Sequence, residues 1–558
     1  MKLRILIILF TTVFLASCQK DLLDKVPTDS PSSSTFFSNE NELRLAINSA
    51  YRTFYWFDSN EVPYNMWLDG TTDITWIRGD YSNMQTIQSG QASPQTPVFN
   101  SIWAFHYEAI SRSNNILVNM HRAKDKVAPA FYNRIEAEAK FLRAYSYNYL
   151  ISLYGDVPYV VSMLSIADAA NYPKTAKEEI VTKLMTDLDF AIENLPKTYS
   201  GVDNGRITKG AALTLKARIA LYNGKFDIAA KAAKDVMDLG VYSVYSNYEN
   251  LFKKVGANSS EAILSLPYLT GLQTTQTPRY LGTRGAPGYS VIVPTQVMID
   301  MYQCTDGKRI DQSTLFDPTD QFKNRDPRLD QSILRPGQWY NGYLFQTHPD
   351  ARTTQRNING VISNVGNLEV TNAFATFTGY IWRKYFDDKE VATITKSDIP
   401  LMLMRYAEVL LTYAEAKVEL NQIDQSVIDA INLVRRRPSV NMPAATITMT
   451  QVELRDLVRY ERTVELAQEG FRLFDIRRWK TAEHVLPGNV LGRRIKERWY
   501  DAVTPQFNVG GKPTYTNETQ VFQVISSNQF NPQRDYLWPI PQKELDLNKG
   551  LTQNPNYN

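Results

Sequence analysis

The feature that most narrows the folds open to this chain is a set of apolar stripes that come in pairs. Ile135, Ala139, Leu142, Tyr145, Tyr149 and Leu153 recur every three or four residues, which places them on one face of a helix. Gly155 and Pro158 stop that helix, and a partner is expected from about Ala176 to Leu195. The second pair is clearer. Ala211, Leu215, Ile219 and Tyr222 form one face, Asn223-Gly224 turns the chain, and Phe226, Ala229, Ala233 and Val236 form the returning face before Gly240. A third pair reads Leu403, Ala407, Leu410, Ala414 and Val418, then Val427, Ile431 and Val434 before Pro438. Alanines on facing stripes let antiparallel helices approach closely, and Tyr222 and Phe226 fill the wedge beside the turn.

This grammar resembles tetratricopeptide helix pairs, whose period is about 34 residues. The spacing here is irregular, so the repeat is degenerate. Two stretches break the pattern. One runs from about Trp56 to Pro97 and is rich in Asn, Gln, Ser, Thr and Gly. The other runs from about Asn247 to Asp398 with many prolines, glycines and tyrosines. Loops this long are usually functional or disordered, and their aromatics argue against disorder. The expected fold class is therefore mostly α, a tetratricopeptide-like helix-pair scaffold with an irregular loop-rich subdomain laid over it.

The N-terminus reads as an address. Lys2 and Arg4 precede an apolar run from Ile5 to Leu15, of signal-peptide length and too short to span a bilayer stably. Leu15-Ala16-Ser17-Cys18 resembles a bacterial lipoprotein signal, in which the cysteine becomes the first mature residue and carries the lipid. Acyl chains contribute about 0.8 kcal/mol per buried CH₂, so several chains anchor stably. Residues 1–17 are then a signal peptide and residues 18–35 a lipid-anchored tether, with Cys18 the attachment site. Cys304 remains as a lone thiol with no base beside it in sequence, so it is expected to be inert. Lysine and arginine total 61 against 58 aspartates and glutamates, a net charge of +3, which argues against a nucleic-acid partner.

Six short motifs then fall in order. They are Ala137-Glu138-Ala139-Lys140-Phe141-Leu142-Arg143-Ala144-Tyr145; Gly205-Arg206-Ile207-Thr208-Lys209-Gly210; Asp326-Pro327-Arg328-Leu329; Arg405-Tyr406-Ala407-Glu408; Glu461-Arg462 leading to Phe474-Asp475-Ile476-Arg477-Arg478-Trp479; and Leu537-Trp538-Pro539-Ile540-Pro541. Together, behind a lipoprotein signal, they resemble the SusD/RagB family of Bacteroidetes outer-membrane lipoproteins along nearly the whole mature chain. Thr463 stands where that family often carries a second arginine. The resemblance implies a helical scaffold with an irregular ligand-binding face, a lipid anchor on the outer surface of the outer membrane, and no catalysis. It further implies a SusC-like TonB-dependent barrel as partner, over which the protein closes as a lid while delivering a glycan or, in a minority of members, a peptide. The expected divisions are residues 36–245, an N-terminal SusD-like helical region; 246–400, an irregular variable region; and 401–558, a C-terminal helical region.

Glu461, Glu465 and Glu469 share a helix face, and paired carboxylates can serve glycoside hydrolysis. The neighbouring Arg462, Arg472, Arg477 and Arg478 argue instead for an ion-pair network, because cations hold carboxylates ionised whereas a general acid needs a raised pKa. His106, His121, His348 and His484 fit no metalloprotease or hydrolase motif. Asp317, Asp320, Asn324 and Asp326 miss EF-hand spacing, so no cofactor is expected beyond an incidental calcium. The binding expectation rests on loop aromatics interleaved with short polar residues, since a sugar's C–H face stacks on a ring while its hydroxyls take hydrogen bonds. The candidates are Asp73, Trp76, Arg78 and Tyr81 in one segment, Tyr280 and Tyr289 in a second, and Trp339 and Tyr340 in a third.

Overall fold

The computed structural model describes residues 36–495 and 503–557. The expected signal peptide, the Cys18 lipid site and the tether lie outside the described residues. The scaffold is built from α1 (Glu40–Tyr51), α2 (Pro97–Asn119), α3 (Pro129–Tyr154), α4 (Lys177–Asn194), α5 (Lys209–Tyr222), α6 (Phe226–Asp238), α7 (Tyr406–Glu419), α8 (Gln425–Arg435), α9 (Gln451–Glu465) and α10 (Arg472–Arg478). α3 packs on α4, α5 on α6 and α7 on α8, so the three expected pairs form. α4 also packs on α5, and α6 on α7, which stacks the pairs into one array, as in solenoid repeats. Ala217, Ala220, Ala229, Ala233, Ala407 and Ala414 are buried between the helices.

Local chemistry sets the helix ends. The Thr208 hydroxyl accepts the Ala211 N–H at the start of α5. Thr450 and Glu453 form a capping box on α9. Gly155 at φ 78° ends α3, and Gly224 at φ 68° makes the α5–α6 turn. One boundary differs from the sequence pattern: Leu403 lies in a strand, because residues 401–405 pair with residues 262–266 before the chain enters α7.

The short strands used below are β1 (Thr75–Ile77), β2 (Ala262–Leu266), β3 (Ile292–Pro294), β4 (Trp339–Tyr340), β5 (Tyr343–Leu344), β6 (Thr353–Ile358), β7 (Val361–Gly366) and β8 (Leu401–Arg405). β1 pairs antiparallel with β3, joining the two irregular stretches, and β8 pairs with β2. β4 to β7 form an antiparallel sheet in sequence order. The main apolar core runs from Phe37 to Leu551 and draws on all three expected regions. A smaller core of Trp76, Val293, Leu334, Tyr340, Phe345, Ile381 and Phe386 lies within the irregular part. The first irregular stretch is less of a surface loop than its composition suggests: every residue from Val62 to Ile77 is buried. No helix among the described residues is long and apolar enough to cross a membrane.

The sequence motifs resolve into buried ion pairs that bolt the array together. Arg143 of α3 grips Asp187 of α4 at 2.8 Å, and Arg218 of α5 grips Glu408 of α7 at 2.6 Å. Glu461 and Glu465 close α9, whereas Glu469 lies in the turn beyond it, where Gln468 takes φ 61°, so the three do not share one helix face; all three are structural, but with other partners than the adjacent arginines. Glu461 pairs with Arg328 (2.7 Å) and Arg435 (2.6 Å), Glu465 with Arg405 (2.8 Å) and Arg437 (2.6 Å), and Glu469 with Arg405 (2.7 Å) and Lys384 (2.8 Å). The reason is helical geometry: Arg462 is one residue on from Glu461, points to another face, and pairs there with Asp475 at 2.9 Å. Burial alone would raise the Glu465 carboxyl, but Arg437, Arg405 and Arg328 hold it far below the usual carboxylate range. Thr463 fits this frame through its hydroxyl, which accepts from Arg472 and donates to the Arg459 carbonyl.

Candidate functional site

The irregular face meets the scaffold just after β1. Gly79, Ser82 and Asn83 all take positive φ (63°, 51° and 56°), which coils the chain tightly. Positive φ at a non-glycine residue costs free energy and persists where surroundings enforce it. Here the Ser82 hydroxyl is tied to Asp58 Oδ2 at 3.1 Å. The coil lays the Tyr81 ring flat on the buried Trp67, centroids 6.0 Å apart at 11°. Tyr81 meets Tyr280 edge-on at 5.6 Å, and Tyr280 meets Tyr289 edge-on at 5.6 Å. Tyr280 is buried, whereas Tyr81 and Tyr289 are half-buried.

Three arginines dress these rings. Arg279 lies over Tyr289 at 4.1 Å. Arg284 lies over Tyr289 at 5.5 Å and over the exposed Phe374 at 6.0 Å. Arg78 lies over Phe374 at 5.1 Å. Each is held by a neutral acceptor: Arg78 donates to the Tyr289 carbonyl (2.9 Å), Arg284 to the Phe374 carbonyl (2.9 Å) and Arg279 to Gln276 Oε1 (3.2 Å). None of the three pairs with a carboxylate within 4.0 Å among the described residues. Burial, then repulsion from Arg284, lowers the Arg78 pKa, and burial lowers that of Arg284. The Nε atoms of Arg78 and Arg279 are buried without a hydrogen-bond partner. Behind them, burial pushes the Glu369 carboxyl up to about 7 while its Oε1 accepts the Gly285 N–H at 2.9 Å. The face continues through Tyr343, whose ring lies against Gly285 and carries Arg356 at 4.9 Å. Half-buried rings beside unclaimed donors suit a flat, hydroxylated ligand.

Four of the eight candidate side chains gather here: Arg78, Tyr81, Tyr280 and Tyr289. The others do not. Trp76 is 5% exposed, because all three residues of β1 are buried, and its ring packs on Phe377 in the smaller core. Asp73 is buried and serves as the counter-ion of Arg472 at 2.7 Å. Tyr340 is buried under the sheet while its neighbour Trp339 is 45% exposed, as the two-residue alternation of a strand requires. Tyr343 closes the candidate segment 339–343, whereas Arg284 and Phe374 are not among the candidates. Arg284 follows Tyr280 by four residues and was within reach of the segment reading, but Phe374 comes from a distant loop that only the fold brings in.

The residues considered for other chemistry are spoken for. His106 stacks on Tyr149 at 5.1 Å, and burial pushes its pKa down to about 3. Asp326 accepts from Arg328 and Tyr460 within the ion network. Asp317 ties its own turn through Thr319. Cys304 is buried, and burial raises its thiol.

Comparison with known proteins matches this chain along its length. A family model described as the SusD family covers residues 249–557, and one described as "Starch-binding associating with outer membrane" covers residues 21–221. The chain is 25% identical to SusD-like protein P2 of Formosa agariphila over 100% of this chain and 99% of that one. It is 30% identical to a SusD-like carbohydrate binding protein of Bacteroides fragilis, whose crystal structure superposes with a TM-score of 0.79 over 93% of this chain and 100% of that one. The fold is also that of surface glycan-binding protein A from Bacteroides thetaiotaomicron, with 20% identity, a TM-score of 0.66 and coverage of 93% and 100%. A single family model spanning more than half of the chain, over a stacked helix-pair scaffold of the same fold, establishes that this chain belongs to the SusD family.

Proposed function

We propose that the protein is a non-catalytic, lipid-anchored glycan-binding protein of the outer-membrane surface that presents oligosaccharides to a SusC-like TonB-dependent importer and acts as its lid. The observation that carries the binding reading is the cluster of Tyr81, Tyr289 and Phe374 with Arg78, Arg279 and Arg284, half-exposed on the irregular face. The rings offer faces for pyranose stacking, and the arginines offer donors for hydroxyls. The B. fragilis relative, described as carbohydrate binding, supports the ligand class. The leader ending in Cys18 supports the anchor, and the family supports the barrel partner. The Glu461, Glu465 and Glu469 carboxylates considered for hydrolysis are committed to arginines and Lys384 in the scaffold.

A peptide ligand is the second reading. It is favoured by β7, a mostly exposed strand at the edge of its sheet, whose free backbone edge suits strand addition. Native gels cast with a panel of polysaccharides separate the two. Retardation by a glycan that is lost in Tyr289→Ala supports the first. No retardation by any glycan, with peptide captured by the same protein, supports the second.

A further inference from the structure

A cavity of about 930 Å³ lies away from the irregular face. It opens where helix ends of the scaffold converge: the C-terminus of α3, the α5–α6 turn, α7, α9, α10 and the C-terminal tail. Its size is that of a site for a small organic ligand. Three buried polar atoms in its lining have no hydrogen-bond partner: Arg477 Nη1, Arg459 Nε and Ser152 Oγ. Buried polar groups are ordinarily paired, so three orphans on one cavity call for a partner. Arg477 is only 9% exposed, and burial lowers its pKa to about 10.

The charge balance points the same way. Lys174, Lys177, Arg459, Arg477, Arg478 and Lys480 line the cavity against Asp156, Glu415 and Glu419. The carboxylates are already engaged. Glu415 takes Arg478 at 2.6 Å and the Trp479 indole N–H at 2.7 Å, Glu419 takes Arg455 at 2.8 Å, and Asp156 accepts the Lys177 backbone N–H at 2.8 Å. Lys174, Lys177 and Lys480 have no ion pair within 4.0 Å among the described residues. Lys480 is held in place at φ 58° with its ammonium over Tyr536 at 4.1 Å. Half-buried rings of Tyr222, Phe226, Trp479 and Tyr536 complete the wall, and among the described residues no strand lines it to pair with a peptide backbone.

We infer that this scaffold cavity is a second ligand site, specific for an acidic saccharide: a sugar whose carboxylate or sulfate is received by Lys174, Lys177, Lys480 and Arg477 while its ring rests on the aromatic wall. It is separate from the arginine–tyrosine face and does not depend on what that face binds. The test is calorimetry on the mature protein with trigalacturonate, a sulfated trisaccharide and the neutral galactotriose, in wild type, in the Lys174→Gln/Lys177→Gln/Lys480→Gln variant and in Arg284→Ala/Tyr289→Ala. These lysines lie outside the buried ion network, so the first variant is expected to keep the wild-type melting temperature. The acidic probes should bind the wild type more tightly than galactotriose and weaken with added salt. They should lose about tenfold or more in the lysine variant, as charged hydrogen bonds of about 1.5–3 kcal/mol imply, and none in the loop-face variant. Equal binding of acidic and neutral probes, acidic binding unchanged in the lysine variant, or acidic binding lost only in the loop-face variant would each overturn the inference. Inorganic sulfate competing as well as the sulfated trisaccharide would reduce the site to a simple anion hole and overturn its saccharide specificity. Binding of neutral polysaccharide on the loop face is scored separately in the same proteins, so either site can fail alone.

Discussion

Arg405 and Arg284 carry the same guanidinium in opposite settings. Arg405 is 1% exposed and is shared among Glu261, Glu465 and Glu469 at 2.7–2.8 Å. Arg284 is half-buried, touches no carboxylate within 4.0 Å among the described residues, and lies over Tyr289 and Phe374. In the network around Glu461, Glu465 and Glu469 each buried charge has a fixed counter-charge, which makes that network stiff and costly to break. On the irregular face the charges are left with donors unused, which is a cost to the fold and an opportunity for a ligand. The difference separates what holds the molecule together from what it holds.

The sharpest way to break that comparison is to remove a shared carboxylate. Glu465→Ala takes one carboxylate from each of Arg405, Arg437 and Arg328 and should cost about 3–5 kcal/mol in denaturant unfolding, with the affinity of the folded fraction for glycan unchanged. Trp76→Ala, which hollows the smaller core, should cost a similar or smaller amount, about 3 kcal/mol, again as lost stability rather than lost contact with ligand.

Acid should act on the same half of the molecule. Against its burial, Arg478 and Arg462 hold the Glu415 carboxyl down at about 2, below its usual 4.5. A carboxyl depressed by folding contributes stability that is fully present above its unfolded pKa and is lost as pH falls through the folded one. Stability measured by thermal melts should therefore decline between pH of about 4.5 and about 2, and Glu415→Gln should lose much of that slope.

On the other half, Tyr289→Ala should cost on the order of 2 kcal/mol of glycan binding, the scale of an interface hot spot, while shifting unfolding far less than Glu465→Ala. Smallest of all, Trp339→Ala removes a 45%-exposed ring from an edge strand and should change stability by no more than about 0.5 kcal/mol.

The two halves were unequally legible. The helix pairs announced themselves through periodicity and through the Asn223-Gly224 turn, because a buried stripe must repeat with the helix. Four of the six motifs were visible for a related reason: Arg143, Arg328, Arg405 and Arg462 each need a carboxylate at a fixed place. Loop aromatics carry no such periodicity. Trp76 and Tyr81 are five residues apart in one polar segment, yet one fills a core and the other lies flat on its rim. Burial there is decided by β3 and the loop around Phe377, more than two hundred residues away. Composition marked the right segments but not which ring in each would face outward.

The most direct test of the division is a pair of native-gel series on one retarding polysaccharide. Arg284→Ala/Tyr289→Ala and Glu465→Gln are run beside the wild type, each with its own melting curve. The account predicts that the loop-face variant melts with the wild type and migrates unretarded, while Glu465→Gln melts lower and, where folded, is retarded as before. A loop-face variant still fully retarded, or a folded Glu465→Gln protein that has lost retardation, would contradict it.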